Sequence, residues 1–600
     1  MRIIAAALVF SGLVTQASMA KDPVRYTVRV EEPSSGIYKV AAEFPATGDD
    51  TYLSLPSWTP GHYTLENYAR HVGHFEAVDA EDGRALRWDK TDADSWRVVS
   101  SGTSRIRVSF EFSADTLNLS GSLLHDDFGF FNGTNLFLYP ETGYDFESEV
   151  TFELPEGWLI ATELQETKLP NVYRAIDYHE LVDNPTFLGH FAIDSTLADG
   201  IWVRLAVYPG SYMREPARTM ALDALEKIAE SLHELFGDPP YDRYTTLIYL
   251  AEGIPYLAGL EHSNSHFDVL PTVAFEQPRL LFTGFIYRLL SHEYYHAWNV
   301  KRIRPAGMWP YAYDRQQFTP LLWVSEGITD YYAQLILVRT GIWPGALLWR
   351  SFEDAIGNVE SQPVHEAVED ASLNTWIDPT FIPQDYYYDK GALLGLLLDI
   401  RIRDATDNRH SLDDVMARLY REHFLEGSGF TTEDFIGYVA EYVGEEASWS
   451  FYRDYVDGRR PLPFQQTLAL AGLRFESDTI TEPFLGVAVA ATRDGGTRIT
   501  TVQPGSAAAR AGLQPGDILE SVGEVEVTDE DWGSQFREVY TGAEGMRVPV
   551  KYERDGQPES SWTTIGSRTR YVHRIQPERG ASPGQLRIRE GLLTGETEAG

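Results

Sequence analysis

Cysteine is absent from the 600 residues. Disulfides, thiolate nucleophiles and cysteine-ligated metal are therefore excluded, and any bound metal has to use His and carboxylates. Basic residues are scarce against acidic ones, 50 Lys plus Arg against 89 Asp plus Glu, for a net charge of −39. A field of that sign repels phosphate backbones and anionic lipid, which removes nucleic acid from the expected partners. Long apolar runs are missing too. The first, Ile3 to Val14, is well short of the roughly 20 residues a spanning helix needs. It follows Arg2 and precedes Ser18-Met19-Ala20, with small residues at both positions that determine signal cleavage. Residues 1–20 are thus expected to be a secretory signal cut after Ala20, and the chain to be exported, periplasmic or secreted from a bacterium, with no membrane span.

What is present is ordinary globular composition, 43% hydrophobic and 23% charged. At about 150 residues per domain it predicts three or four domains with real cores. From Val24 to about Asp194, short alternating runs such as Tyr26-Thr27-Val28-Arg29-Val30 are punctuated by Pro, Gly and Asp, the pattern of an all-β domain, placed at 21–200. Its aromatic segment Pro56-Ser57-Trp58-Thr59-Pro60-Gly61-His62-Tyr63 lacks periodicity and reads as an ordered loop, with internal packing the favoured reading and a place at the border of a site the alternative. From Glu215 the apolar spacing turns helical, with strand-like runs at Tyr244 to Leu250, Gly259 to His262 and His266 to Leu270. Long helical stretches follow from Phe318, so residues 201–472 read as an α+β unit that becomes all-helical. Near Pro483 short strands return around Pro504 to Leu519, predicting a small β domain over 473–570. Beyond about Arg574 the chain is polar and Gly-rich, which predicts a frayed tail at 571–600.

The chemistry gathers at His292-Glu293-Tyr294-Tyr295-His296. In the helix predicted from Thr283 to Asn299 the two histidines lie one turn apart on one face and can chelate one metal ion. Phe285 and Leu289 precede them on the same stripe, which places the histidines on a buried face at the floor of a cleft. Glu293 is positioned to take a proton from a water activated by the metal. A catalytic zinc needs a third protein ligand and an open position. Glu326, in Trp323-Val324-Ser325-Glu326-Gly327-Ile328-Thr329-Asp330-Tyr331-Tyr332, is the candidate. Asp330, one turn on, is placed to hydrogen-bond a zinc-bound imidazole. His262 and His266 are also four apart, but Ser263-Asn264-Ser265 between them is a poor helix former and holds no Glu.

At this point the chain resembles the gluzincin metallopeptidases, and within them the glycyl aminopeptidase family. The likeness rests on His292 to His296 continuing as Ala297-Trp298-Asn299-Val300-Lys301-Arg302-Ile303-Arg304-Pro305, on Trp323 to Tyr332, and on Gly259-Leu260-Glu261-His262. It extends to Pro56 to Tyr63 and the C-terminal domain, and so over nearly the whole mature chain. It implies a thermolysin-like catalytic domain and one zinc ion per chain. It implies that Glu261, in an edge strand, captures the substrate's α-ammonium, so that only the first peptide bond reaches the metal. It further implies a tyrosine that hydrogen-bonds the oxyanion, assigned to Tyr388 in Tyr388-Asp389-Lys390-Gly391-Ala392, with Tyr386 and Tyr387 adjacent. The 29 residues between His296 and Glu326 are more than in many gluzincins and point to an inserted segment near Arg304 to Phe318.

Residues 473–570 resemble a PDZ domain, with Phe484-Leu485-Gly486-Val487 in the place of its carboxylate-binding loop. In such domains a peptide adds as a strand and its C-terminal carboxylate meets loop N–H groups. The reading that follows is an exported zinc aminopeptidase acting on peptides with a free N-terminus, with the family's preference for Gly or Ala first and a PDZ-like domain that either takes a C-terminal peptide ligand or is a packing module that binds nothing. A zinc endopeptidase with PDZ-assisted substrate capture, and a non-catalytic PDZ scaffold with a vestigial metal site, are the alternatives.

Overall fold

In the computed structural model, the structure is described for residues 22–598 except 238, 253–257, 273–274, 276–277, 363, 378–385, 493–495 and 528–531. The expected signal segment, residues 1–20, lies outside the described residues. No helix among the described residues is long and apolar enough to cross a membrane.

The N-terminal domain is all β. Alternation in Val24–Arg29 and Ile37–Pro45 turns Tyr26, Val28, Tyr38, Val40, Ala42 and Phe44 inward, all essentially inaccessible, as a sheet with one face on the core requires. These strands are central to a seven-stranded sheet, where Val24–Arg29 runs antiparallel to Ile37–Pro45 and parallel to Ser148–Glu153. A five-stranded sheet carries Phe128, Phe130 and Phe187 into a cluster with Leu247 and Phe267 of the next domain. The rings of Phe130 and Phe267 stack at 3.9 Å, so aromatic packing bolts the two domains together.

The second domain opens on a five-stranded sheet ordered Ala192–Ala198, Ile201–Tyr208, Arg243–Ala251, Ser265–Pro271, Ala258–Glu261. Ala192–Ala198 pairs with Ile201–Tyr208, so this sheet begins before position 201, where the run of alternating sequence gives no sign that the chain has changed sheets. Ala258–Glu261 is an antiparallel strand at the sheet's edge. Behind the sheet stand the helices. Tyr386–Ala405 is buried over most of its surface and forms the middle of the helical layer, with its buried Asp399 and Arg403 paired to each other at 3.1 Å.

The small β domain has its own core, built on Leu485, Ile499, Val522, Phe536 and Val550. It is joined to the catalytic domain by a ribbon of two twelve-residue antiparallel strands, Leu473–Phe484 and Gly566–Pro577, registered from Leu473 opposite Pro577 to Phe484 opposite Gly566. The chain therefore leaves the catalytic domain, builds the small domain and comes back. This corrects the expectation of a frayed tail. Beyond Arg574 the strand continues to Pro577, and the helix Pro583–Thr594 buries Ile588 and Leu592 in the main core. Ser582 and Gln585 form a capping box at its start, with Pro583 in its first turn and Gly595 at its end, signals that outweigh the polar composition.

Leu592 is fully buried. Leu592→Ala is expected to cost about 2–5 kcal/mol, seen as a lower urea midpoint for the catalytic domain; an unchanged midpoint would mean that this helix only rests on the surface.

Candidate active site

The helix bearing the two histidines runs as Pro278–Leu281, a π-helical turn Phe282–Ile286, then Tyr287–Tyr295, with His296 at its C-cap. Phe282, Ile286 and Leu290 carry its packing. The expectation that Phe285 continues a buried stripe fails, since Phe285 is 62% exposed. The histidine face emerges into solvent at its first turns and dips to the cleft floor only at His292 and His296.

Each imidazole is held by its Nδ1. His292 Nδ1–H donates to Asp330 Oδ1 at 2.9 Å, and His296 Nδ1–H donates to the Asn299 carbonyl at 2.6 Å. A carboxylate and a carbonyl only accept, so these bonds fix the tautomer and leave both Nε2 atoms as lone-pair donors. The two Nε2 atoms lie 2.9 Å apart, and Glu326 Oε2 is 3.6 Å from the first and 3.3 Å from the second. Such edges suit a small divalent ion with bonds of about 2.0–2.2 Å, so the donor set fits a metal of the zinc type. Arg288 donates to Asp330 Oδ2 at 2.7 Å. Burial works against the Glu326 carboxylate, but the two imidazoles outweigh it and hold its pKa at about 2.

Glu326 sits in a second π-helical turn, Trp323–Ile328, that leads into the helix Thr329–Arg339. π turns are frequent at functional sites because they re-aim a side chain within a continuous helix. Two contacts set this helix in place. The Asn299 side-chain amide donates to the Val324 carbonyl at 2.8 Å and to Thr329 Oγ1 at 3.0 Å, which ties it to the end of the histidine helix. On its other side Gly327 meets Gly391 of Tyr386–Ala405; a Cβ on Gly391 would lie 2.6 Å from the Trp323 carbonyl and 2.8 Å from Gly327 Cα. That contact brings the start of the central helix to the site. Tyr388 stacks on His292 at 5.9 Å between ring centroids. Its neighbours are turned elsewhere, Tyr387 to Thr375 Oγ1 at 3.1 Å and Tyr386 to the Lys390 ammonium.

The edge strand brings Glu261 beside His296 and Glu293, with one ligand atom of each within 4.8 Å of the others; Glu261 is 4% exposed, with no hydrogen-bond partner on Oε1. Burial pushes its pKa up. Glu293 is buried with Oε2 unpartnered. Burial, with Asp268, Glu261 and Glu326 nearby, pushes it well above the usual carboxylate range, against the pull of His292. Gly259 leaves no room for a Cβ beside the Glu293 carboxylate. His262 and His266 bond instead to Asp183 and to the Tyr244 hydroxyl, each through Nδ1 at 3.1 Å.

The segment Pro56 to Tyr63 departs from its expected internal packing and reaches the site. Tyr63 donates to Glu326 Oε1 at 3.0 Å. Gly61, at φ +102°, passes so close to Glu261 that a Cβ there would lie 2.6 Å from both carboxylate oxygens. The long segment after His296 holds this loop, with Ser57 N–H donating to the Tyr313 carbonyl at 2.7 Å and Trp58 Nε1–H to that of Ala312 at 2.9 Å. In the small domain, Gly486 takes φ +86° against Ser506, and the Leu485 carbonyl accepts from Ala508 N–H at 2.8 Å. Phe484 ends the ribbon, and Val487 opens the edge strand Val487–Ala491.

Residues 25–190 match the Peptidase M61 N-terminal domain, and residues 286–394 match M61 glycyl aminopeptidase. Both matches are to models of M61 peptidases, one over the β domain and one over the helices that carry the site. The chain is an enzyme of the aminopeptidase class with the donor set of a metallopeptidase. Residues 498–554 match a PDZ domain. No curated protein matches the chain. Among solved structures it is similar to an aminopeptidase N family protein from Idiomarina loihiensis, at 23% identity and TM-score 0.79, over 95% of this chain and 100% of that one; the two share a fold. Other similar structures are a variant M1 zinc metallopeptidase from Deinococcus radiodurans bound to a Tyr-Ser-Ala substrate (14% identity, TM-score 0.47, 73% of this chain and 94% of that one) and yeast LTA4 hydrolase in complex with bestatin (14%, 0.46, 75% and 70%).

Gly391→Ala tests the helix contact. Overpacking there is expected to cost about 1–3 kcal/mol and to lower the thermal midpoint; an unchanged midpoint would mean that the two helices can separate freely.

Proposed function

We propose that this enzyme is an exported zinc aminopeptidase that removes a small first residue, Gly or Ala, from peptides with a free N-terminus. The observation that carries the reading is Glu261, a buried carboxylate with an unpartnered oxygen, beside His296 and Glu293. A buried anion without partners is costly until a cation reaches it, and a substrate α-ammonium is the cation that would fix the scissile bond one residue away. The close approach of Gly61 to this carboxylate supports a small first side chain. Residues 1–20 support export, and one His-His-Glu set supports a single ion.

His292, His296 and Glu326 would hold the zinc, which when bound supplies Lewis acidity toward a carbonyl and acidifies water to a pKa of about 7. Glu293 takes the proton of the attacking water on its carboxylate and returns it to the leaving amine; its raised proton affinity suits both transfers. Tyr388 donates a hydrogen bond from its hydroxyl to the developing oxyanion. Asp330 and the Asn299 carbonyl keep the imidazoles oriented. In the PDZ-like domain, Phe484, Leu485, Gly486 and Val487 would receive a peptide's terminal carboxylate while the peptide pairs with the open edge of Val487–Ala491.

Glycyl- and alanyl-arylamides, compared with leucyl- and acetyl-alanyl-arylamides with and without a chelator, test this. The expected result is chelator-sensitive turnover of the small free-amine substrates alone. Glu261→Ala should lower kcat/KM on them on the order of 100-fold, and Glu293→Gln should lower kcat by about 100- to 10,000-fold with metal content unchanged. Equal cleavage of the acetylated substrate would overturn the exopeptidase reading in favour of an endopeptidase.

A further inference from the structure

The three candidate ligand groups share a construction. His292 has its far nitrogen bonded to Asp330, His296 has its far nitrogen bonded to the Asn299 carbonyl, and Glu326 has its far oxygen, Oε1, bonded to the Tyr63 hydroxyl. The first two restraints come from within the catalytic helices. The third comes from the N-terminal β domain, 263 residues away in the chain. Because Tyr63 occupies Oε1, the oxygen left facing the two Nε2 atoms is Oε2, and the carboxylate is held to a single orientation.

Tyr63 is itself held in place. It is 8% exposed and its ring meets Trp376 edge-on at 5.9 Å, while Trp376 meets Trp58 at 5.0 Å. Thr59 Oγ1, in the same turn, lies 2.7 Å from the Tyr68 hydroxyl and 2.6 Å from Thr134 Oγ1, both in the β domain. The loop is thus anchored in the β domain by Thr59, braced by Ala312, Tyr313 and Trp376 of the catalytic domain, and presents the Tyr63 hydroxyl to Glu326. Resting on the metal assignment proposed above, we infer that Tyr63 is a positioning residue for Glu326, and that the β domain thereby completes the metal site.

Tyr63→Phe removes the hydroxyl and keeps the ring packing, and the full-length chain is used throughout. Zinc affinity, measured by competition with a chromophoric chelator, is expected to fall about 10- to 100-fold, with faster zinc release. On alanyl-arylamide at saturating zinc, kcat should fall while KM stays unchanged, because the ammonium site is untouched. The melting temperature of the metal-free protein should not move. Zinc affinity and kcat within twofold of the parent would overturn the inference. So would a metal-free melting temperature lowered as far as that of the zinc-loaded protein, since the hydroxyl would then serve the fold alone. Glu326→Gln is run in parallel. If it abolishes zinc binding while Tyr63→Phe does not weaken it, only the role of Tyr63 fails; if Glu326→Gln binds zinc like the parent, the ligand assignment fails and the inference with it.

Discussion

Glu261, Glu293, Glu326 and Asp268 are all buried close enough for the other three to act on Glu293, and their mutual repulsion is the constraint to which the surrounding structure answers. A carboxylate taken out of water loses several kcal/mol of hydration, and here each also feels its neighbours, with Asp268, Glu261 and Glu326 all raising the proton affinity of Glu293. The chain supplies few compensating cations. Arg288 is committed to Asp330, and Lys301 lies 2.6 Å from Asp183. What remains are two imidazoles with their lone pairs turned inward, an arrangement that a divalent ion and a substrate ammonium would each relieve at a different point.

Holding such a cluster requires a scaffold that cannot relax away from it. The histidine helix, the Glu326 helix and the edge strand come from different layers, and each is locked to the next by a contact with little tolerance. Asn299 ties the end of one helix to the flank of another, Gly327 and Gly391 let two helices touch backbone to backbone, and Gly259 lets the strand press against Glu293. Removing a side chain at these glycines, rather than adding one, is what makes room for the charged groups.

The legibility of this site followed sequence distance. His292, Glu293 and His296 form a pattern because one helix carries all three, and Asp330 is one turn from Glu326 for the same reason. Tyr63 and Gly61 lie in a segment that the family likeness covers, but nothing in their own spacing pointed to the metal set. Their partners are in another domain, and an aromatic loop that packs internally has the same composition as one that reaches across a cleft. The β domain was plain from its alternation, whereas the sheet change at Ala192 was not, since strands alternate alike in either sheet. The last helix was not read, because the polar, Gly-rich composition beyond Arg574 outweighed the short capping signals at Ser582-Pro583 and Gly595.

The ribbon that carries the PDZ-like domain gives the molecule an order of assembly. Leu473 and Pro577 sit opposite each other, so the module is an excursion from a catalytic unit that resumes afterwards with Pro583–Thr594. A chain read from its first residue to its last makes the whole module before the helix that seals the core around Ile588 and Leu592 exists. The enzyme's central helical layer is thus made before the module and closed only after it, and shortening the chain from its end opens that layer before it frees the module.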